Sequence, residues 1–221
     1  MTTAATTELE AINIMLAAIG EAPVNSLLGT LPVDVKMAQK LLNEQNKAVQ
    51  SEGWSFNREF NVVLTRDNNN RINIANNVLR VDVNIHDHPT VDAVQRGSKL
   101  YDRNKHQDTF EEDLKCEVIY FLTFDEIPED ARRYINIKAA RIFVDRSVTD
   151  DSLRTYTKED ELRARSALLD ADTNNDYEII VRATDQAGNV SDQSITVNVT
   201  DIDDVTPSIL GPSGSKGDKT S

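Results

Sequence analysis

The sequence predicts an α+β fold in which an antiparallel β domain interrupts a helical bundle and a C-terminal β-hairpin follows. Three changes in apolar spacing predict this order. The spacing is helical up to about residue 56 and again over residues 125–171, whereas apolar residues alternate over residues 57–124 and after residue 172. We therefore divide the chain into four segments, 1–56, 57–124, 125–171 and 172–221, of which the first and third form the bundle.

Two helices are predicted in the first segment. Thr7 and Glu10 have the spacing of a capping box, and the apolar positions that follow predict a helix over residues 7–19 that ends at Gly20. A second helix is predicted to start near Asp34, with Gly53 just after its end. Trp54 and Phe56 follow, and aromatic residues beyond a helix end favour a packed joint between two layers.

The β domain is predicted from strict alternation of apolar and polar residues. One strand is expected around residues 60–64, a second at 79–85, a tight hairpin around Gly97, and a last strand at 114–122. Cys116, the single cysteine, has an apolar position in this last strand. A disulfide framework is thereby excluded, and a buried, unreactive thiol is expected.

The stretch over residues 122–146 leads from the last strand into a third helix. Asp125 is expected to accept hydrogen bonds from the turn, and Pro128 suits a helix start. Tyr134 and Phe143 belong to a broad apolar arc, while the opposite side is only weakly polar. This helix is either the core of one bundle or packed both in its own subunit and against a neighbour.

The last two predicted elements are a helix and a hairpin. Thr157 and Asp160 have capping-box spacing, which predicts a fourth helix after them. Alternating residues at 177–183 and 195–199 flank a turn and predict a β-hairpin, followed by a tail expected to be disordered from about Gly211. Since a lone hairpin is marginally stable in water, we expect it to dock on another protein chain.

Composition limits the classes of function. The chain has 221 residues and a formal charge of −13, which argues against a protein that grips nucleic acid by clustered Lys and Arg. The N-terminus lacks the pattern of a signal peptide, and no apolar run is long enough for a membrane span, so a soluble chain without membrane contact is expected.

Few residue constellations suggest chemistry. His86 and His88 flank Asp87 with strand spacing, but no third zinc ligand is identifiable and a surface loop is expected. Glu111 and Glu112 are consecutive carboxylates that favour a solvated edge over the paired acids of a glycoside hydrolase. We therefore expect no enzyme, no catalytic residue and no bound cofactor.

Four stretches carry a resemblance to a known family. They are NIMLAAIGEAPVNSL (residues 13–27), LLNEQNKAVQSEGWSFN (41–57), LYDR (100–103) and FDEIPEDARRYINIKAARIF (124–143). Together with the order of elements, they resemble the tail tubular protein A family, the head-to-tail adaptors of short-tailed, podovirus-type bacteriophages. The resemblance covers about the first 170 residues.

The resemblance implies a structural virion protein made in the host cytoplasm. It implies a ring of twelve copies beneath the portal protein and above the tail nozzle protein, near the tail fibre protein, with DNA passing through the channel without specific binding. The interface candidates in such a ring are aromatic, and each serves either the subunit core or the contact between subunits: Trp54, Phe56, Tyr134 and Phe143.

The C-terminal segment departs from this family and leaves two alternatives open. YEIIVRATDQAGNVSDQSITVNVTDIDDVTP resembles the final strands and linker of a cadherin-like repeat, in which Asp201, Asp203 and Asp204 are weak calcium candidates. A calcium-dependent binding module is thus one alternative. The other is a tail-associated glycan hydrolase that uses Glu111 or Glu112, which lacks an identifiable acid and nucleophile pair.

Overall fold

A computed structural model of the chain describes residues 5–147, 156–172, 176–184 and 190–198, the last two ranges by their backbone. It comprises two compact units, Met1–Ala164 and Arg165–Ser221. The described residues form helices and antiparallel sheets, so the predicted α+β class is confirmed. The four-segment division with boundaries at 56, 124 and 171 stays a prediction.

Four helices form where helical spacing predicted them: α1 (Glu8–Ala18), α2 (Val33–Gln50), α3 (Glu129–Ser147) and α4 (Lys158–Ala171). Both predicted capping boxes are present. The Thr7 hydroxyl accepts from the Glu10 backbone N–H while the Glu10 carboxylate accepts from the Thr7 N–H. Thr157 and Asp160 repeat this exchange before α4. These side chains satisfy the N–H groups that each helix start leaves unpaired.

Helix α3 is the central helix of the bundle. It packs against both α1 and α2, and Arg141 on its surface donates to Glu161 of α4 at 2.6 Å. Its buried residues surround most of its circumference: Ala131, Arg132, Tyr134, Ile135, Asn136, Ala139, Ala140, Phe143 and Val144. The apolar surface on two sides of α3 is therefore covered largely within its own subunit.

The β domain is a three-stranded antiparallel sheet with a neighbouring hairpin. The sheet has the order β1 (Arg58–Leu64), β5 (Leu114–Tyr120), β2 (Val78–Val83), and the hairpin joins β3 (Ala93–Arg96) to β4 (Lys99–Asp102) around Gly97. One core unites them, and its buried members come from the sheet and from the segments beside it: Ile72, Ile74, Val81, Leu100, Phe110, Leu114, Cys116 and Val118. The alternation seen in the sequence thus marks one buried face.

The C-terminal unit contains an antiparallel hairpin of β6 (Asp176–Thr184) and β7 (Val190–Asn198). Nine residue pairs join the strands without a slip in register, and Tyr177 and Ile179 lie opposite Val197 and Ile195. The predicted hairpin is confirmed, although its second strand begins at Val190 rather than near Ile195. The tail from Gly211 and the calcium candidates Asp201, Asp203 and Asp204 lie outside the described residues.

Gly53 is a position where a side chain is expected to destabilise the fold. Its φ is +84°, in the left-handed region, and a Cβ built on it would lie 2.5 Å from Cδ1 of the buried Ile119. Gly53→Ala is expected to lower the free energy of unfolding by about 2 kcal/mol, because backbone strain and displacement of Ile119 add together. Urea denaturation followed by Trp54 fluorescence measures this loss.

Gly97→Ala is the matched control for this substitution. Gly97 also has a positive φ, +62°, but a Cβ there meets nothing within 4 Å. Gly97→Ala should lower the free energy of unfolding by only about 1 kcal/mol, the contribution of backbone strain alone. Equal losses for the two variants would show that the contact with Ile119 contributes nothing.

Candidate functional site

A buried polar joint connects the bundle to the sheet. The Gln50 side chain, at the end of α2, donates to the Leu122 carbonyl at 2.8 Å and accepts from the Leu122 N–H at 2.8 Å. Its amide nitrogen also donates to Asn46, one helical turn earlier, at 2.8 Å. Both amides are fully buried. The side chain of Gln50 therefore pairs with the chain after β5 as another strand would.

Asn57 completes this joint from the other side. Its side-chain nitrogen donates to the carbonyls of Gln50 and Tyr120, at 2.9 and 2.8 Å, and its oxygen accepts from the Trp54 N–H at 2.8 Å. The Trp54 indole donates to the Val49 carbonyl at 2.8 Å. One asparagine thus ties the end of α2 to the last residue of β5, which fixes the sheet against the bundle.

A second polar cluster, the N-terminal clamp, holds the chain start against α3. The buried Arg132 guanidinium donates to three backbone carbonyls, those of Thr6, Asp125 and Ile127. These carbonyls belong to the chain before α1 and to the turn before α3. The fixed fork of the guanidinium joins two segments more than a hundred residues apart in sequence.

Two carboxylates reinforce the N-terminal clamp. Glu129 accepts from the N–H and hydroxyl of Thr6, at 2.8 and 2.6 Å, and Asp125 accepts from the Glu8 N–H at 3.1 Å. The expectation that Asp125 serves its own turn needs correction, since it reaches the start of α1. Within the turn, Glu126 accepts from the N–H of Thr123 instead. Both carboxylates lie at helix starts, where negative charge is favourable.

Three of the four aromatic interface candidates lie in the core of this subunit. Trp54, Tyr134 and Phe143 are buried, the last two among the largest fully buried side chains, and Phe56 is half-buried. Their packing within one chain explains why aromatic residues occupy these positions. A contact between any of the four and a neighbouring copy stays a prediction.

The histidines do not form a metal site. His86 is exposed as expected, but the surface-loop expectation is wrong for His88, which is buried. His88 Nε2 accepts from the Lys115 N–H at 3.0 Å, and Nδ1 lies 2.8 Å from Glu112. Neither ring nitrogen is free to bind zinc. Within residues 5–147 and 156–172, no cluster of His, Cys, Asp or Glu could hold a metal ion.

Glu111 and Cys116 are two further groups whose chemistry the structure describes. A hydrogen bond from Lys105 at 2.7 Å lowers the pKa of Glu111, whereas a general acid in a glycoside hydrolase requires a raised pKa. Burial raises the pKa of the Cys116 thiol to about 12, so the reactive thiolate is disfavoured. None of the described helices has a window long and apolar enough to cross a lipid bilayer.

Most of the large apolar side chains that are exposed in the described part of the first unit belong to two stretches of the chain. Leu28 is 85% exposed in the loop after α1, and Val33 and Met37 follow one turn apart at the start of α2. We call these three residues the bundle patch. The second group, the sheet patch, consists of Phe60 and Val63 on β1 and Ile85 after β2. Patches of this kind mark interaction surfaces.

The sheet patch is shaped by a β-bulge. The register of β1 against β5 shifts between Glu59 and Val62, and Asn61 within this bulge has a φ of +58°. Phe60 and Ile85 line one open cavity of about 230 Å³, together with Glu117. The Arg58 guanidinium lies 4.9 Å from the centroid of the Phe60 ring. The bulge re-aims Phe60 so that it remains exposed on an edge strand.

Comparison of the sequence with known proteins identifies the family of this chain. A family model described as tail tubular protein matches residues 9–177. Tail tubular protein A of Klebsiella phage KP34 is 28% identical over 165 residues, which span 73% of this chain and 84% of that protein. Residues 9–177 contain the joint of Gln50 and Asn57 and both apolar patches, whereas the N-terminal clamp begins before them at Thr6. The chain belongs to the tail tubular protein family and is a structural protein of a bacteriophage tail.

Proposed function

We propose that this protein is the head-to-tail adaptor of its virion. Twelve copies form a ring that joins the portal protein to the tail nozzle protein and helps to attach the tail fibre protein. The protein is made in the host cytoplasm and works as a spacer rather than as an enzyme. The observation that carries this proposal is the buried polar joint of Gln50 and Asn57, which holds the sheet to the bundle.

A ring that joins the portal to the tail nozzle needs subunits that keep their shape. Gln50 and Asn57 hold the sheet to α2, and Arg132 holds the chain start to α3, through hydrogen bonds that are buried or partly buried. Breaking such bonds leaves polar groups without partners away from water, which costs about 1–3 kcal/mol for each group.

The charge of the chain suits passage of DNA without binding. The formal charge is −13, and a ring of twelve copies multiplies it. Nonspecific affinity for DNA comes from Lys and Arg that neutralise phosphates. A strongly acidic ring therefore repels the double helix and lets it slide through the channel.

The mass of the purified protein by light scattering, alone and mixed with the portal protein of the same virus, tests this proposal. We expect the protein to add to the portal as a ring of twelve copies. A chain that remains a monomer or small dimer and ignores the portal would contradict the adaptor function.

A further inference from the structure

We infer that neighbouring copies in the ring meet head to tail, with the bundle patch of one copy (Leu28, Val33, Met37) packed on the sheet patch of the next (Phe60, Val63, Ile85). The inference rests on the proposed ring and assigns residues to its repeated contact. The occupant of each patch is thus a second copy of this chain.

Most of the large apolar side chains that are exposed in the described residues lie in the two patches. Eight large apolar side chains are exposed in the described part of the chain, and six of them make up the two patches. Leu28 and Val33 are 85% and 71% exposed, and Phe60 and Ile85 are 55% and 68% exposed. Covering them removes apolar surface from water at about 25 cal/mol per Å².

The two patches lie on different elements of the subunit. The bundle patch belongs to the loop and first turn of α2, whereas the sheet patch lies on β1 and beyond the end of β2. A twofold dimer needs one surface that complements itself. A ring needs two different surfaces, each complementary to the other, on every subunit. The bundle patch and the sheet patch are two different apolar surfaces, so packing one on the other would remove both from water.

Strand pairing indicates which face of the sheet Val63 of the sheet patch occupies. Val63 pairs with Lys115 on β5, and Lys115 and Glu117 share one face of that strand because their positions differ by two. Glu117 also lines the cavity with Phe60 and Ile85. Val63 therefore lies on the face opposite the buried side of Cys116 and Val118, and Phe60 and Ile85 line an open cavity that includes both Glu117 and Cys116.

Charged residues beside the sheet patch form ion pairs with one another. The acidic chain opposes association of its copies, yet the charges beside the sheet patch pair among themselves. Arg58 and Arg80 both reach Glu117, at 2.8 and 3.6 Å, and Arg80 also pairs with Asp82 at 2.8 Å. Residues 28–37 likewise contain one acid and one base, Asp34 and Lys36. Both patches can be covered without burying net charge.

The test uses two variants that each damage one patch. Leu28→Glu places a carboxylate in the bundle patch, and Phe60→Glu places one in the sheet patch. Leu162→Glu is the matched control, because Leu162 is 63% exposed on α4 and belongs to neither patch. Native mass spectrometry is performed under the conditions in which the unmodified protein forms rings, and thermal melting verifies that each variant is folded.

We expect each patch variant alone to remain monomeric, because every contact in a ring would contain one damaged patch. An equimolar mixture should give 1:1 heterodimers and nothing larger, since each pair has one intact bundle patch and one intact sheet patch. The Leu162→Glu control should form rings like the unmodified protein. Leu28→Ser and Phe60→Ser, which add no charge, replace any Glu variant that fails to fold, with the same outcome expected.

Three results would overturn the inference. Rings formed by either patch variant would show that its patch is not required, and homodimers of single variants would show that each patch pairs with itself. A mixture that stays monomeric would show that the two patches are not partners. None of these results affects the adaptor proposal, which fails separately if the unmodified protein forms no ring on the portal.

Discussion

Arg132→Met is expected to lower the free energy of unfolding by about 3 kcal/mol. Methionine preserves most of the buried aliphatic volume but removes the donors that serve the carbonyls of Thr6, Asp125 and Ile127. These carbonyls then lose their partners, and two of them lie in the turn before α3. Urea denaturation at neutral pH measures the loss. Because Thr6 also loses a contact, amide hydrogen exchange at the start of α1 should accelerate.

Arg133→Met is the control for charge and helix propensity. Arg133 is the neighbouring residue on α3, and it is exposed. Substitution at an exposed site without a special contact changes stability by about 0.5 kcal/mol or less. A similar loss for Arg132→Met and Arg133→Met would show that the N-terminal clamp does not stabilise the fold. Slower exchange at the start of α1 would contradict it as well.

Gln50→Glu is expected to have the largest effect, a loss of about 3–5 kcal/mol at pH 7. The change is nearly isosteric, but it replaces the amide that donates to the Leu122 carbonyl and to Asn46 with a carboxylate oxygen that can only accept. A buried charge would then face two acceptor oxygens. Urea denaturation with Trp54 fluorescence reports the loss, since Trp54 lies in the same joint.

The loss caused by Gln50→Glu should shrink as the pH is lowered toward about 5. A protonated carboxyl regains a donor hydrogen and can restore one of the missing hydrogen bonds. Gln95→Glu is the matched control, because Gln95 is exposed on β3, and it should change stability by about 0.5 kcal/mol or less. A pH-independent loss at Gln50 would show that the carboxylate is not buried against the two acceptors.

The elements of the fold were predictable because each has a local signal. Thr7 with Glu10 and Thr157 with Asp160 mark helix starts through contacts within one turn, and Gly97 marks a tight hairpin. Alternation over β2 and β5 directly records which face is buried. Such signals depend on neighbours along the chain, so a single sequence contains them.

The joints were not predictable, because their partners are distant in sequence. Gln50 and Leu122 are 72 residues apart, and Arg132 and Thr6 are 126 apart. From the sequence alone, a glutamine on a helix is predicted to lie at the surface, and a lone arginine is predicted to be solvated. The resembling stretches at residues 41–57 and 124–143 contain Gln50, Asn57 and Arg132, which was the available hint. His88 was missed for the same reason, since its partners come from β5 and the loop before it.

The exposed patches carried an even weaker signal. Leu28 and Val33 occur in an irregular stretch with Gly29 and Pro32, where an apolar residue could equally fold inward. Phe60 alternates with core residues of β1, and only the bulge after Glu59 turns it out of that pattern. Because the bulge follows from pairing with β5, the exposure of Phe60 could not be read from its own strand.

The bundle–sheet joint sets the angular tolerance of the assembly proposed above. In a ring of twelve copies, each subunit turns the path by about 30°, and an error of about 2° in each would accumulate to about 24° around the circle. Gln50 and Asn57 hold α2 to the end of β5 through bonds to backbone atoms, which leave little freedom of tilt. Weakening this joint would therefore produce open spirals or rings of mixed size, even where the contact between subunits is intact.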